Sequence, residues 1–244
     1  MFRDTVTDRV TLSIRRLHRK RIDVIVRIRT RSQSANLPNM ISAGEALAKL
    51  QQGNRRFIAG TRRGDTFADR LREGNAPQEQ APFAIILGCS DARVPAEIVF
   101  DQGLGDLFVI RVAGNIVAPS QIGSIEFAVD KFATPLVVVL GHSRCGAVIA
   151  TLEDLAHPNP VQSSNLLSIV NRIRPTLEPL YKTELRRDPA RLQAASIRAN
   201  ILASTNQLRH GSPMLESLIQ QDRLSIVGAE YSLESGRVDF FEDI

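Results

Sequence analysis

The sequence predicts an α/β fold built on a central, mainly parallel β-sheet flanked by helices. Stretches 83–87 and 136–140 are apolar and rich in β-branched residues, which is typical of strands buried on both faces. A third such run covers 107–112, and a helical pattern follows at 121–132. This alternation of strand and helix favours right-handed crossovers and therefore parallel pairing.

Helical signals are spread along the chain. Ser42 and Glu45 form a capping-box pattern for the first helix, and Asp188 and Gly211 bracket the longest helix as its N-cap and its C-terminal stop. Pro175 predicts the end of the helix before it, because proline cannot donate the hydrogen bond that the helix needs. The predicted helices cover 42–57, 95–100, 121–132, 146–155, 165–173 and 189–210, and a further one begins at 212–213.

The other segments are predicted to form a loop and a terminal hairpin. Residues 60–79 are polar, charged and contain glycine, which indicates a surface loop before the first core strand. Segments 224–231 and 237–241 have strand-like patterns on either side of Ser235 and Gly236. This arrangement predicts a C-terminal β-hairpin.

Composition limits the class of protein. A chain of 244 residues with 43% hydrophobic content can bury a substantial core as a single domain. No apolar run approaches the roughly 20 residues needed to cross a bilayer, so no membrane partner is expected. The two cysteines form no disulfide framework and suit a reducing cytosol, which predicts a cytoplasmic protein.

The positive charge is concentrated at the N-terminus. The formal net charge is +5, but residues 1–31 alone carry ten Lys or Arg and three Asp or Glu, leaving about −2 for the rest. We therefore expect a basic extension over 1–39 and one folded domain over 40–244. The extension is disordered, a targeting segment for an organelle, or upstream sequence before a true start at Met40. Nucleic acid is not expected as a partner of the folded body.

Reactive side chains follow two of the predicted strands. Cys89, Asp91 and Arg93 come after the first, and His142 and Cys145 come after the 136–140 strand. Ligands of parallel sheets bind beyond the carboxyl ends of the strands, so these side chains are expected to converge. Two thiolates and an imidazole suit Zn²⁺, and three protein ligands leave a fourth position for water or a carboxylate. This is the pattern of a catalytic zinc site.

A simpler interpretation of the cysteines is core packing. Cysteine is among the most buried residues, and neither short pattern is specific by itself. Their conjunction favours the metal site, because both cysteines of the chain and one of its four histidines directly follow buried-strand signals.

Three motifs resemble the β-class carbonic anhydrases. They are Cys-Ser-Asp-Ala-Arg at 89–93, Gly-Asp-Leu-Phe-Val-Ile-Arg at 105–111 and Gly-His-Ser-Arg-Cys-Gly at 141–146, within a resemblance that covers roughly 42–241. The resemblance implies one Zn²⁺ per chain, held by Cys89, His142 and Cys145. It also implies an obligate dimer, alone or within a tetramer, with the N-terminal helix packed on the partner.

The same resemblance implies a reaction. Zinc-bound hydroxide attacks carbon dioxide to give bicarbonate and a proton, with Asp91 accepting a hydrogen bond from the hydroxide and Arg93 holding Asp91. In part of the family the equivalent of Asp91 becomes a fourth zinc ligand in a closed, inactive state, and the sequence does not choose between the two states.

The substrate pocket is also assigned by resemblance. Gln80, Phe108, Gly114 and Phe127 match positions at or near the carbon dioxide site of plant-type members. Phe127 stands where those members often carry tyrosine. For Phe108 and Phe127, plain core packing is an equally good interpretation.

Two other functions stay open. The same metal site would suit a hydrolase of carbon disulfide or carbonyl sulfide. A protein in which zinc is only structural, with the Arg-rich tail binding nucleic acid, is a different class; Asp91 and Arg93 argue against it because a structural site needs neither.

Overall fold

The computed structural model describes residues 41–62, 80–158 and 163–241. The chain divides into two units, Met1–Asn39 and Met40–Ile244, and all the described residues belong to the second. The predicted extension over 1–39 and most of the predicted loop over 60–79 lie outside the described residues.

The described residues form one sheet of five strands. The strands are β1 (Ala84–Gly88), β2 (Leu107–Arg111), β3 (Leu136–His142), β4 (Ser225–Tyr231) and β5 (Val238–Phe240). Their order is β2-β1-β3-β4-β5, in which the first four are parallel and β5 pairs antiparallel with β4. The predicted α/β fold with a mainly parallel sheet is confirmed.

Burial explains the composition of the two central strands. Every residue of β1 and β3 is buried, because helices cover both faces of the sheet. Such strands need apolar side chains on both sides rather than an alternating pattern. Their register pairs Gly88 with Leu140, so the two strands end side by side.

The helices are α1 (Ala43–Ile58), α2 (Ala96–Val99), α3 (Pro119–Phe132), α4 (Gly146–Ala156), α5 (Ser164–Tyr181), α6 (Pro189–His210) and α7 (Pro213–Gln220). Short 3-10 turns cover Ala113–Asn115 and Glu184–Arg187. The capping box is present: the Glu45 amide donates to Ser42 Oγ, and the Ser42 amide donates to Glu45 Oε2. None of the described helices is long and apolar enough to span a membrane.

The predicted end of the fifth helix before Pro175 is wrong. Helix α5 continues through Pro175 and Pro179 to Tyr181. Both prolines lie on the exposed face, where water can serve the carbonyls that lose an amide partner. Ile173 and Leu177 on the other face are fully buried, and their burial offsets the cost.

The sheet separates two apolar layers. Alternate residues of each strand point to opposite faces, so each strand contributes to both layers. Helices α3 to α7 pack on one face, and α1 and α2 pack on the other. Within this chain α1 buries Ala46, Leu47 and Leu50 in the second layer. Its predicted packing on a partner stays a prediction.

Candidate metal centre

The strand order creates a crevice at the ends of β1 and β3. From β1 the chain crosses to β2 on one side, then returns to β3 on the other side. At such a switch point the connections leave in opposite directions, and ligands bind between them. Cys89 directly follows β1, His142 is the last residue of β3, and Cys145 precedes α4. The topology therefore brings both predicted motifs to one place.

The three predicted ligands form a compact, buried cluster. The ligand atoms of Cys89, His142 and Cys145 all lie within 4.8 Å of one another. His142 is completely buried, and its Nε2 has no hydrogen-bond partner among the described residues. Its Nδ1 lies 2.9 Å from the Ser143 carbonyl oxygen, which fixes the ring. An unpartnered buried nitrogen beside two thiols fits a zinc ligand whose other ring nitrogen is held in place.

The pKa values of the two thiols are shifted in opposite directions. The interaction with Cys145 holds the pKa of Cys89 well below its ordinary value, and the same interaction raises the pKa of Cys145. The Gly114 amide also donates to Cys89 Sγ at 3.3 Å. Burial by itself lowers the pKa of His142, but the neighbouring Cys89 sulfur and the Ser143 carbonyl raise it overall. Metal binding therefore has to displace protons from this cluster.

Asp91 and Arg93 form a pair beside the cluster. Arg93 Nε donates to Asp91 Oδ1 at 2.9 Å, and Nη2 donates to Oδ2 at 2.7 Å. The Arg93 amide donates to Oδ1 as well, at 2.9 Å. These hydrogen bonds hold the pKa of Asp91 well below its usual range. Asp91 Oδ2 lies 3.9 Å from His142 Nε2, so an ionised carboxylate stands next to the ligands.

Comparison with known proteins identifies the family of this site. The family model described as carbonic anhydrase matches residues 84–238, which contain every residue of the cluster and the pair. A carbonic anhydrase of Mycolicibacterium smegmatis is 39% identical over 202 residues, covering 82% of this chain and 93% of that protein. Carbonic anhydrase 2 of Mycobacterium tuberculosis is 37% identical over 199 residues, covering 82% and 91%.

The chain belongs to the β-class carbonic anhydrase family.

Solved structures of β-carbonic anhydrases have the same fold. A tetrameric β-carbonic anhydrase of Sordaria macrospora superposes with a TM-score of 0.60 at 25% identity, covering 72% of this chain and 85% of that one. The β-carbonic anhydrase of Coccomyxa gives a TM-score of 0.61 at 23% identity, covering 80% and 86%.

Arg111 is a site residue that the sequence reasoning missed. In this family member it pairs with Gly88 at the end of β2. Its Nε donates to the Cys89 carbonyl at 3.0 Å, and its Nη2 donates to the Asp91 carbonyl at 2.5 Å. Arg111 thus holds the backbone at Cys89 and at Asp91. The signal in the sequence was the position of Arg111, a charged residue that directly follows the apolar run 107–110.

The loop that carries the other two ligands is tied to the C-terminal turn. Ser143 Oγ accepts from the Leu233 amide at 2.9 Å and donates to Glu234 Oε2 at 2.8 Å. The neighbouring Arg144 forms an ion pair with Glu234 at 2.6 Å. Arg144 has a φ of 55°, a left-handed conformation that this pairing helps to hold. These residues lie about 90 positions apart, and sequence reasoning did not connect them.

The predicted pocket residues are divided between two places. Gly114 lies at the cluster, with its amide on Cys89. Phe108 and Phe127 pack together with ring centroids 6.4 Å apart, and Phe127 is 56% exposed. Phe108 pairs with Ile85, near the amino end of β1. Gln80 is exposed and precedes β1, whereas the metal ligands follow the carboxyl ends of β1 and β3.

Proposed function

We propose that this protein catalyses the reversible hydration of carbon dioxide to bicarbonate and a proton, with one zinc ion per chain. The observation that carries the proposal is the buried cluster of Cys89, His142 and Cys145 with the Asp91 carboxylate beside it. A closed structural site would have four protein ligands, and the cluster provides three. Membership of the carbonic anhydrase family supports the same conclusion.

Cys89, His142 and Cys145 would hold the ion. Two sulfurs and one nitrogen are donors that Zn²⁺ favours, and the two thiolates balance its charge. When bound, zinc acts as a Lewis acid that lowers the pKa of a coordinated water to a range useful at neutral pH.

Asp91 orients the nucleophile. Because Arg93 keeps it ionised, its carboxylate can only accept hydrogen bonds. It can therefore accept the O–H of the attacking water and turn a lone pair of that oxygen towards carbon dioxide. Arg93 holds the carboxylate in one orientation through its fork of donors. A closed state, with Asp91 on the metal, would have to break these hydrogen bonds.

We also propose that the working unit is a homodimer, alone or within a tetramer. Gln80 and Phe127 lie away from the metal cluster of their own chain, so a second chain is needed for them to line a pocket at a metal. Phe127, Ile98 and Leu104 are large apolar side chains left exposed in the single chain. The Sordaria macrospora relative is described as tetrameric. Free thiols are typical of a reducing compartment, which supports our further proposal that the protein is cytoplasmic.

The test is carbon dioxide hydration measured by stopped flow, with the zinc content determined on the same sample. Turnover between about pH 6.5 and 9 together with about one zinc per chain would support the proposal. The metal-free protein, prepared by chelation and then reloaded, is the matched control. Zinc at full occupancy without turnover at any of these pH values would contradict it and direct attention to carbonyl sulfide and carbon disulfide.

A further inference from the structure

Gly114 makes the N–H contact to the Cys89 thiolate from a position that only glycine fits. Its φ is +71°, in the left-handed region. A Cβ there would lie 2.8 Å from Ile173 Cδ1 and 2.9 Å from Ala147 Cβ. With no side chain of its own, Gly114 has only backbone groups by which its orientation can be held.

Asn200 holds Gly114 by the carbonyl. Its Nδ2 donates to the Gly114 oxygen at 2.8 Å, across 86 positions of sequence. Asn200 lies on α6 and is 3% exposed, so this hydrogen bond is shielded from water. A shielded hydrogen bond is expensive to lose, since the carbonyl would be left buried without a partner.

Other buried polar groups of α6 behave differently. The Thr205 hydroxyl donates to the carbonyl of Ile201 in its own helix. The Ser196 hydroxyl is fully buried and has no hydrogen-bond partner among the described residues. Asn200 therefore differs from these two helix neighbours in reaching the turn that contacts a metal ligand.

We propose that Asn200 is a positioning residue of the metal centre. By holding the Gly114 carbonyl it keeps the Gly114 N–H directed at the Cys89 sulfur. An N–H donor withdraws electron density from a thiolate, so the hydrogen bond limits the charge that the sulfur passes to the metal. In a site with two thiolates, this contact preserves the positive character of the ion. The inference rests on the zinc site proposed above.

The experiment replaces Asn200 in the full-length protein. Asn200→Leu removes the donor at similar volume, and Asn200→Ala removes it while leaving space for water, so that one of the two serves if the other does not fold. Thr205→Val is the matched control, since it removes a buried hydroxyl of the same helix that does not reach the turn. Two properties are measured: zinc release to a chromophoric chelator, and the sulfur-to-metal charge-transfer band of the Co²⁺-loaded protein.

Both Asn200 variants should release zinc about tenfold faster, because the turn that positions the Cys89 sulfur is no longer held, and this loss of positioning outweighs the stronger donation from the sulfur. Their cobalt band should move to longer wavelength, because a thiolate without its N–H donor is oxidised more easily. Thr205→Val should match the wild type in both. Wild-type release rates and an unmoved band in the Asn200 variants would overturn the inference. A wild-type protein that binds neither zinc nor cobalt would instead overturn the proposed function.

Discussion

Asp91 accepts three hydrogen bonds from Arg93, and its Oδ2 lies 3.9 Å from His142 Nε2. One carboxylate is thus both locked in orientation and placed next to a ligand. Removing its charge should separate metal binding from catalysis. We expect Asp91→Asn to keep its zinc and to lose turnover about 100-fold, since an amide can donate where only an acceptor is wanted.

Metal analysis and stopped-flow hydration check this prediction. Asp130→Asn, on the exposed side of α3, is the control and should match the wild type. Unchanged turnover in Asp91→Asn would remove Asp91 from the mechanism.

The Asp91–Arg93 pair should also leave a mark on stability against pH. The folded-state pKa of Asp91 lies below its unfolded value of about 4. Its contribution is therefore fully present above about pH 4 and is lost as the pH falls through the folded-state pKa. Arg93→Leu should lower the free energy of unfolding only slightly at neutral pH, because Arg93 is more than half exposed and water screens the pair, and the difference from the wild type should shrink in acid.

Chemical unfolding of the metal-free proteins at several pH values measures this difference. Arg187→Leu removes an exposed surface pair and serves as the control. A penalty for Arg93→Leu that grows as the solution is acidified would contradict the pairing.

Cys145 and Cys89 should behave as one unit. Cys145→Ser leaves two ligands, so zinc content and turnover should fall together, each at least tenfold. The two sulfurs lie within 4.8 Å of each other, close enough for a small movement to join them once zinc has been removed. Mild oxidation should then consume both thiols, as a thiol titration would show. A Cys145→Ser protein with full zinc content would contradict the assignment of Cys145 as a ligand. Ser90→Ala is the control, because it is a substitution next to a ligand and should leave the zinc content unchanged.

Ser143 should stabilise the loop between His142 and Cys145. In Ser143→Ala the Leu233 amide loses its acceptor and Glu234 loses a donor, at a cost of about 1 to 2 kcal/mol in the free energy of unfolding. Denaturant unfolding measures it. Ser235→Ala, in the same turn but exposed, should change stability by less than about 0.5 kcal/mol. Equal effects in the two variants would rule out a special role for Ser143.

Alanine substitutions at Gly114 and Gly60 should distinguish the effect of tight packing from that of backbone strain. Both have positive φ, but a Cβ at Gly60 meets nothing within 4 Å. Gly60→Ala should cost about 1 kcal/mol for the left-handed conformation alone. Gly114→Ala adds two close contacts and should cost about 2 to 4 kcal/mol. If thermal and denaturant unfolding give equal losses for the two variants, the turn at Gly114 is less tightly packed than described.

Local signals in the sequence predicted the fold and the convergence of the three candidate ligands. Strands buried on both faces are apolar along their whole length, and the reactive residues directly follow them, so β1, β3, Cys89, His142 and Cys145 could be placed together. The stop at Pro175 failed because the rule considers only the helix. The burial of Ile173 and Leu177 is a tertiary gain that a local pattern does not contain.

The supporting contacts could not be predicted for the same reason. Asn200 meets Gly114, and Ser143 meets Leu233, only after the chain has crossed the sheet. Their residue types carry no distinctive spacing. The pocket residues pose a different difficulty: Gln80 and Phe127 match family positions one by one, but a sequence match does not say where they lie relative to the metal ligands.

The register of β1 against β3 gives zinc content a second meaning. Gly88 stands opposite Leu140, and the ligands follow directly from these strand ends. A slip of two residues would keep each side chain on its face yet displace Cys89 from His142 and Cys145 by about 6 to 7 Å, too far to share one ion. A chain misaligned in this way would fold into a plausible sheet and remain empty of metal. In a preparation reloaded with excess zinc, the zinc-to-protein ratio therefore reports the fraction of molecules whose central strands are correctly aligned.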